Sequence, residues 1–488
     1  MRKKGFGGTN IGKKNCMLSI VRVKKGTRFM PNSCRHAPLF PLTSFRYTYG
    51  MNMQKAKRLI DFIDASPSAF HAVQNAASLL EKHGFKLLKR ENDFALEKGG
   101  AYYTEYNGSA LVAWRMSSTA GIENGFRIIA SHSDSPGFKI KPRPEIAVQN
   151  HYVKLNTEVY GGPILSTWFD RPLSAAGRVV LKNKNNGESI LGCESVLFDF
   201  EKPVLTIPNL AIHMNREINE GFAIDKQKDT LPLLGILNDA CEADNFLLTL
   251  IAEKLGVPAE RISDFDLYLY DTHKGCFTGA GGEFFSCGKI DNLGMLYPSV
   301  EALALAKPCD CIQVAVVFDN EEVGSASAQG AGSPFFRDTL NRIASAVCKD
   351  NTYERTQQAF AKSFMISADQ AHALHPNYPE KNDVTNFPLI NKGPVIKSAA
   401  SMSYTSDAVS SAVFKEVCRR ANVPCQIFVN RSDIKGGSTI GPISSAHVHI
   451  RSVDIGNPIL AMHSVRELGG TQDQEYISKA FAEFYTCS

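Results

Sequence analysis

Short apolar runs that alternate with helical patterns constrain the fold of this chain more than any other feature of its sequence. In the second half of the chain, residues 312–318 form a continuous apolar run of strand length, between segments of helical spacing at 293–306 and 340–348. Further strand-like segments lie at 364–367, 395–396 and 427–429. Because buried strands that alternate with helices are typical of a sheet covered by helices, the pattern predicts an α/β fold.

The stretch between residues 139 and 283 has a different texture, because Gly and Pro residues punctuate segments that are mostly β-like. Strands are predicted at 178–182, 191–200, 204–207 and 265–269, and a helix is predicted at 245–255. We therefore predict one α/β domain with a mixed sheet, assembled from residues 53–138 and 284–488. A β-rich insertion at 139–283 interrupts it.

The first 52 residues differ from the rest of the chain in charge. Residues 1–50 hold 11 Lys and Arg and no Asp or Glu. Residues 51–488 therefore hold 43 basic and 49 acidic residues, which gives them a net charge of −6. The acidic body does not indicate nucleic-acid binding. We predict that residues 1–52 are a disordered basic extension or precede a mis-assigned start, with an organellar targeting segment as the alternative. The first helix is expected from Met53, and Ser66 is expected to cap the second.

Hydropathy and cysteine usage bear on the cellular setting. No stretch approaches the ~18 consecutive apolar residues of a membrane-spanning helix, so no membrane interaction is predicted. The 12 cysteines include no CxxC pair, which is typical of a reducing compartment and favours a cytoplasmic location. Cys309 and Cys311 form a CxC pair at the start of an apolar run. Because a metal site needs more ligands than two, we interpret them as buried free thiols.

Polar clusters directly follow several of the apolar runs. Their imidazole and carboxylate groups belong to His132, Asp134, Asp291, Glu321, Glu322, Asp369 and His463. Because strand ends of α/β folds open onto a crevice, these groups are expected to converge at one edge of the sheet. A pair of divalent ions needs one bridging carboxylate and about one His and one carboxylate per ion. Asp134 suits the hydrogen bond that a ligating His gives to a carboxylate, and one of the adjacent Glu residues suits a general base.

The same clusters belong to a longer, ordered series of motifs. The series is SHSDSP at 131–136, VYGG at 159–162, STWFDR at 166–171, DNEEVGS at 319–325, SAD at 367–369, HPNY at 375–378, GPVIK at 393–397, STIGP at 438–442 and AMHS at 461–464. It resembles the aspartyl aminopeptidases, a family of dizinc metallopeptidases. The resemblance runs from about Leu59 to Phe484, which is nearly all of the chain beyond its basic head.

The resemblance implies a zinc-peptidase catalytic domain, with a dimerisation domain in place of the β-rich insertion. The implied activity is hydrolysis of the N-terminal residue, preferably Asp or Glu, from peptides, with two Zn²⁺ per subunit. The implied zinc ligands are His132 and Asp369 for one ion, Glu322 and His463 for the other, and Asp291 as the bridge. Glu321 is implied as the general base.

The resemblance also implies substrate contacts and an assembly. Lys397 is expected to pair with the side-chain carboxylate of an acidic N-terminal residue, and His372 and Tyr404 are expected to contact the substrate. His213 is expected to reach from the insertion into the active site of a neighbouring subunit. The implied partners are therefore peptides with acidic N-terminal residues and further copies of the chain, in a homo-oligomer that is a dodecamer built from dimers.

Two other functions would use the same scaffold. A dizinc deacylase or carboxypeptidase-like hydrolase would share the metal ligands and cleave N-acyl substrates. A catalytically silent assembly protein would keep only the fold, but the presence of every expected ligand and of Glu321 argues against it. His447 and His449 would share one face if they lay on a strand, and we interpret them as non-ligands.

Overall fold

The computed structural model describes residues 42–119, 121–182, 192–237, 245–348, 350–434 and 436–486, with only the backbone described over 42–52. Most of the predicted basic extension therefore lies outside the described residues. Its last part was predicted wrongly, because the first helix begins at Leu42 and not at Met53. Gly50 lies within that helix, and a Gly in a helix costs about 1 kcal/mol relative to Ala, so the sequence pattern places the start too late.

The described residues form nine α-helices and twenty strands. The helices are α1 Leu42–Asp64, α2 Ala69–Lys82, α3 Phe246–Leu255, α4 Ile290–Leu305, α5 Phe335–Val347, α6 Thr352–Ala361, α7 Ala408–Arg420, α8 Ile440–Val448 and α9 Thr471–Thr486. The strands are β1 Lys86–Leu87, β2 Ala101–Tyr106, β3 Ala110–Arg115, β4 Phe126–His132, β5 Gly137–Val148, β6 Tyr152–Tyr160, β7 Leu173–Lys182, β8 Cys193–Asp199, β9 Leu233–Ile236, β10 Ile262–Asp271, β11 Cys276–Thr278, β12 Phe284–Cys287, β13 Ile312–Phe318, β14 Phe364–Ala368, β15 Ala371–His372, β16 Val395–Ser398, β17 Gln426–Val429, β18 Arg451–Gly456, β19 Pro458–Leu460 and β20 Glu467–Gly470.

Nine strands form the largest sheet, in the order β1-β2-β3-β13-β4-β14-β18-β16-β17. The central strands β13, β4, β14 and β18 run parallel, while β3 and β16 pair antiparallel on either side of them. Phe318 of β13 lies opposite His132 of β4, and Ser367 of β14 lies opposite Ala130 of β4. The sheet is mixed, which confirms the predicted fold class, and its register brings three carboxyl ends to one edge.

Helices cover both faces of this sheet. Every residue of β13 is buried, and alternate side chains belong to different apolar clusters. Ala315 and Val317 pack in the cluster that contains α4 and α9, whereas Val314 and Val316 pack in the cluster that contains α5. A strand buried on both faces needs consecutive apolar residues, and each large side chain buried in this way contributes about 1.5–3 kcal/mol. The double burial accounts for the continuous run at 312–318.

A second sheet has six strands in the order β8-β7-β10-β5-β6-β9, and its pairings are antiparallel. Its strands lie between residues 137 and 271, close to the predicted insertion at 139–283. Leu247 and Ile251 of α3 are buried against this sheet in a cluster with Leu267. Both sheets belong to one compact unit over residues 47–488, so the division into separate domains stays a prediction.

A third sheet, β11-β12-β20-β19-β15, has five short strands. It joins the segment before α4 to the segment before α9, because β12 pairs antiparallel with β20. None of the helices in the described part of the chain is both long and apolar enough to cross a membrane.

Two local predictions were wrong, the N-cap of the second helix and the strand at 204–207, and the structure also places His447 and His449. Helix α2 begins at Ala69, and Ser68 rather than Ser66 is its N-cap, because the Ser68 hydroxyl accepts from the backbone N–H of His71. His447 lies near the end of helix α8, and His449 is its left-handed C-cap, so the two rings do not share a strand face. The predicted strand at 204–207 forms only isolated bridges, although Leu205 and Ile207 are buried in alternation.

Candidate metal centre

The central strands deliver three of the predicted metal ligands to one edge of the nine-stranded sheet. β4 ends at His132, and Asp369 directly follows β14. After β13 the chain turns through Asn320, which has a left-handed backbone with φ of 60°, into a single 3₁₀ turn that carries Glu321 and Glu322. Asp291 lies at the start of α4, and a cis peptide bond joins it to Asn292. Parallel strands thus place residues that are far apart in sequence side by side.

The ligand atoms form two groups that share Asp291. His132 Nε2 lies 3.6 Å from Asp291 Oδ1 and 3.5 Å from Asp369 Oδ1. His463 Nε2 lies 3.4 Å from Asp291 Oδ2 and 3.5 Å from Glu322 Oε2. Two ligand atoms that each sit ~2.1 Å from one tetrahedral ion are about 3.4 Å apart, so the spacing fits two zinc positions.

The other nitrogen of each imidazole is held by an oxygen. Nδ1 of His132 lies 3.1 Å from the backbone oxygen of Asp134, and Nδ1 of His463 lies 3.0 Å from the backbone oxygen of Gly162. A carbonyl oxygen only accepts hydrogen bonds, so each Nδ1 must donate. Nε2 is therefore the nitrogen of each ring that is left to bind a metal.

Asp134 connects the first His to the two Glu residues. Its carboxylate oxygens accept the backbone N–H groups of Glu321 and Glu322, both at 3.1 Å, and the hydroxyl of Tyr160 at 2.8 Å. The same carboxylate lies 3.2 Å from Nδ1 of His132. One buried side chain therefore fixes both the imidazole and the turn after β13.

Glu321 faces the ligand groups without being tied to them. One of its carboxylate oxygens lies within 4.8 Å of ligand atoms of His132 and Glu322. Within the described residues its carboxylate makes no hydrogen bond or ion pair, although its backbone N–H is bound by Asp134. Burial, and to a smaller extent the carboxylates of Asp369 and Asp291, raise the pKa of Glu321 to about 8.

A further carboxylate, which the sequence analysis missed, supports the centre from behind. Glu467 is buried in β20; Oε1 accepts the backbone N–H of His463 at 2.8 Å, and Oε2 accepts that of Asp291 at 3.0 Å. Burial raises the pKa of Glu467 to about 8. No sequence signal marks this residue, because it contributes no ligand and its partners are backbone groups that any residue carries.

A cavity of about 370 Å³ opens beside the ligands. Its walls include Asp291, Glu321, Glu322, Asp369, His463, His372, Lys397 and Tyr404. The structure thus brings together nearly all of the predicted site residues in one chain. His372 also lies edge-on to the ring of Phe428, with centroids 5.9 Å apart.

Lys397 lies in the cavity wall but already has a partner. Its Nζ lies 3.0 Å from Asp369 Oδ2 and 3.1 Å from the backbone oxygen of Gln370, and it stands 5.3 Å from the ring centroid of Tyr404. Although burial alone raises the pKa of Asp369, Lys397 and His132 hold it well below its usual range. Lys397 therefore keeps the Asp369 carboxylate ionised, which the sequence analysis did not anticipate.

His213 is the predicted site residue that the structure leaves apart. It lies in an exposed turn between β8 and β9, does not line the cavity, and makes no hydrogen bond to any described residue. The neighbouring apolar side chains are also exposed, with Leu210 at 54%, Ile212 at 47% and Met214 at 69%. His447 and His449 likewise belong to none of the potential metal-binding groups among the described residues.

Known proteins match the chain over nearly its whole described length. Residues 62–485 match the family described as aminopeptidase I zinc metalloprotease, M18. A probable M18 family aminopeptidase 2 from Clostridium acetobutylicum is 52% identical over 433 residues, which cover 89% of this chain and 99% of that protein. One from Pseudomonas aeruginosa strain UCBPP-PA14 is 40% identical over 442 residues, covering 90% and 99%.

Solved structures give the same assignment. A chain in the Ape4 and Nbr1 complex aligns with a TM-score of 0.85 and 37% identity, over 90% of this chain and 86% of that one. The S. cerevisiae mApe1 dodecamer aligns with a TM-score of 0.77 and 28% identity, over 88% of this chain and 96% of that one. With its predicted ligands gathered at one sheet edge and relatives of this identity and coverage, the chain belongs to the M18 family of zinc aminopeptidases.

Proposed function

We propose that this M18 aminopeptidase uses two zinc ions per subunit, and Glu321 as general base, to remove N-terminal Asp or Glu from peptides. One observation carries the proposal: the two oxygens of Asp291 face the Nε2 atoms of two different histidines, His132 and His463. A carboxylate between two imidazoles, each joined by one more carboxylate, is the donor set of a bridged pair of ions.

The electrostatics of Asp291 support the fit to metal. Its Oδ1 atom is buried and has no hydrogen-bond partner among the described residues. Leaving a buried acceptor unsatisfied costs about 1–3 kcal/mol, and more when it is charged. A cation bound between Asp291 and His132 would remove this cost, which supports these residues as ligands.

The chain's own residues supply the proton transfer. When bound, zinc supplies Lewis acidity, which lowers the pKa of water toward neutrality. Glu321 accepts a proton from the attacking water and delivers it to the peptide nitrogen that leaves. Its position in the cavity wall and the absence of any side-chain partner in the described structure support this role. Such general-base assistance is typically worth 10²- to 10⁴-fold in rate.

The cavity wall also provides groups for the substrate. Tyr404 and His372 offer hydrogen-bond donors where a carbonyl oxygen gains negative charge, since both line the cavity with the ligands. The cluster of carboxylates favours a free, positively charged α-amino group. The reaction is therefore expected to remove one residue at a time from the amino end.

The preference for acidic residues rests on the remaining capacity of Lys397. An ammonium group has three N–H donors, and Asp369 and the Gln370 backbone occupy two of them in the described structure. The third donor remains for a carboxylate in the cavity. A neutral side chain would leave that donor unpaired, which penalises the wrong substrate.

We further propose a homo-oligomer, a dodecamer built from dimers, in which His213 completes a neighbour's site. Exposed apolar side chains beside it, among them Leu210 and Met214, support burial by another copy, because apolar patches on a monomer mark interaction surfaces. The similarity to the mApe1 dodecamer supports the same arrangement. The eight described cysteines are all free thiols, which supports a reducing compartment such as the cytoplasm.

A substrate screen tests the proposal. The purified, zinc-loaded protein is offered peptides that begin with Asp, Glu, Ala or N-acetyl-Asp, while bound zinc is counted by elemental analysis. We expect two ions per chain, cleavage of the Asp and Glu peptides before Ala, and none of the N-acetyl peptide. Preferred cleavage of the N-acyl substrate would indicate the deacylase, and no cleavage with both ions bound would indicate a silent assembly protein.

A further inference from the structure

Two thiols lie together at the end of β13 that is remote from the metal centre. Cys309 and Cys311 precede β13, and their Sγ atoms are 3.4 Å apart. Cys311 is buried, whereas Cys309 is partly exposed. None of the potential metal-binding groups among the described residues includes either cysteine, so the pair is a dithiol and not part of a metal site.

The surroundings make the two thiols unequal. The two sulfur atoms hydrogen-bond each other, which is the largest cause that lowers the pKa of Cys309 to about 6; Arg127 adds to it. The same interaction, together with burial, raises the pKa of Cys311 well above its usual range. When protonated, Cys309 donates to the backbone oxygen of Tyr485, with the sulfur 3.5 Å away. Because Cys309 is also the more exposed of the two, it is the sulfur that a small disulfide can reach first.

We propose that Cys309 and Cys311 form a thiol–disulfide exchange site for small disulfides such as glutathione disulfide. The Cys309 thiolate attacks one sulfur of the small disulfide, forms a mixed disulfide and releases one glutathione thiolate. Cys311 then loses its proton to that thiolate or to water and attacks the Cys309 sulfur, releasing the second glutathione. Two protein thiols are oxidised to one disulfide, and one glutathione disulfide is reduced to two glutathione molecules.

The local geometry favours closure of the pair. One residue separates the two cysteines, and their sulfur atoms must move only from 3.4 Å to the ~2.05 Å of a disulfide. The exposed cysteines Cys193 and Cys276 have no such neighbour within the described residues, although the Cys276 sulfur contacts Arg466. They are expected to stop at the mixed disulfide and serve as internal controls.

Mass spectrometry of the zinc-loaded holoenzyme tests the proposal. After equilibration at graded ratios of reduced to oxidised glutathione, free thiols are blocked with N-ethylmaleimide and the protein is digested with trypsin. The peptide 290–337 contains Cys309 and Cys311 and no other cysteine, because Pro308 protects the bond after Lys307. We expect it to lose both labels together without gaining glutathione, and to regain them after treatment with dithiothreitol.

Two variants separate the roles of the thiols. Cys311→Ser should leave glutathione attached to Cys309, because the resolving thiol is gone, whereas Cys309→Ser should leave Cys311 unmodified. The proposal fails if the peptide keeps both labels at ratios where Cys193 and Cys276 already carry glutathione. It also fails if Cys309 instead pairs with Cys487. Peptidase activity should change less than twofold on oxidation, because the pair lies at the opposite end of β13 from Glu321, so the proposed function is judged separately.

Discussion

The metal centre and the turn that carries His213 are held in opposite ways. At the centre, imidazole nitrogens, carboxylates and backbone N–H groups are fixed by hydrogen bonds from within one chain, as Asp134 and Glu467 show. Around His213, apolar side chains project from an exposed turn, and no described residue holds the imidazole by a hydrogen bond. The difference teaches that one chain suffices to arrange the ligands, whereas the role proposed for His213 requires another copy.

Removing the proposed base should have the largest effect. It tests the metal centre, whose ligands are arranged within one chain. Glu321→Gln keeps the shape of the side chain but cannot take a proton, so kcat should fall by about 10²- to 10⁴-fold while zinc content stays unchanged. Glu322→Gln is the matched control, since it should lose the ion that His463 helps to bind. A Glu321→Gln enzyme that keeps more than about a tenth of its activity would contradict general-base catalysis.

Exchange of subunits tests the turn that carries His213. His213→Ala should lose on the order of 100-fold in activity if the imidazole acts in a neighbour's site. His151→Ala, at another exposed histidine in the turn between β5 and β6, should not. After dissociation and mixing, His213→Ala and Glu321→Gln should restore each other's activity in proportion to mixing. If complete exchange, verified by differential tags, restores nothing, His213 serves only its own subunit.

Lys397→Ala would separate two proposed roles of one residue, the support of the Asp369 carboxylate and the binding of an acidic substrate side chain. Loss of the ammonium should reduce kcat/KM for Asp peptides about 30-fold more than for Ala peptides, or ~2 kcal/mol. Ala peptides should suffer too, because Asp369 loses its partner 3.0 Å away. Kinetics on both substrates, together with zinc content, separate the two losses. An equal loss on both would make Lys397 a support of Asp369 alone.

Replacing Glu467, which holds two ligand residues by their backbone, should have a smaller effect, on zinc affinity. Glu467→Gln places an amide N–H₂ against one of the two backbone N–H groups that the carboxylate accepts, so zinc affinity should weaken about 10- to 100-fold in chelator competition. Asp473→Asn is the matched control, because Asp473 is also buried and accepts two backbone N–H groups, those of Asn391 and Gly393. Equal loss of zinc affinity in both variants would show a general loss of stability.

The smallest effect is expected at His447 and His449, which belong to none of the potential metal-binding groups among the described residues. His447→Ala should leave zinc content unchanged and alter the free energy of unfolding by no more than about 0.5 kcal/mol, as for other exposed sites. His449 has a left-handed backbone, with φ of 51°, so Asn is the suitable replacement there. Loss of an ion from either variant, measured by elemental analysis, would place an unrecognised ligand on α8.

The sequence predicted those parts of the molecule that depend on strand ends. His132, Asp369 and Glu322 lie where buried apolar runs stop, and the parallel register brings them together. Contacts that depend on tertiary packing escaped prediction: the pairing of Lys397 with Asp369 and the backbone groups bound by Glu467 leave no mark in sequence spacing. The helical state of 440–448 was also missed, because the HxH spacing suited a strand equally well.

The proposed ligands come from positions as far apart as His132 and His463, and no short segment holds more than one of them. An unfolded chain therefore offers no site, and zinc binds only after the sheet has brought distant segments together. By mass action, free zinc at 100 times its dissociation constant would add about 2.7 kcal/mol to the free energy of unfolding. Metal supply would then govern how long the folded chain survives, as well as whether it is active.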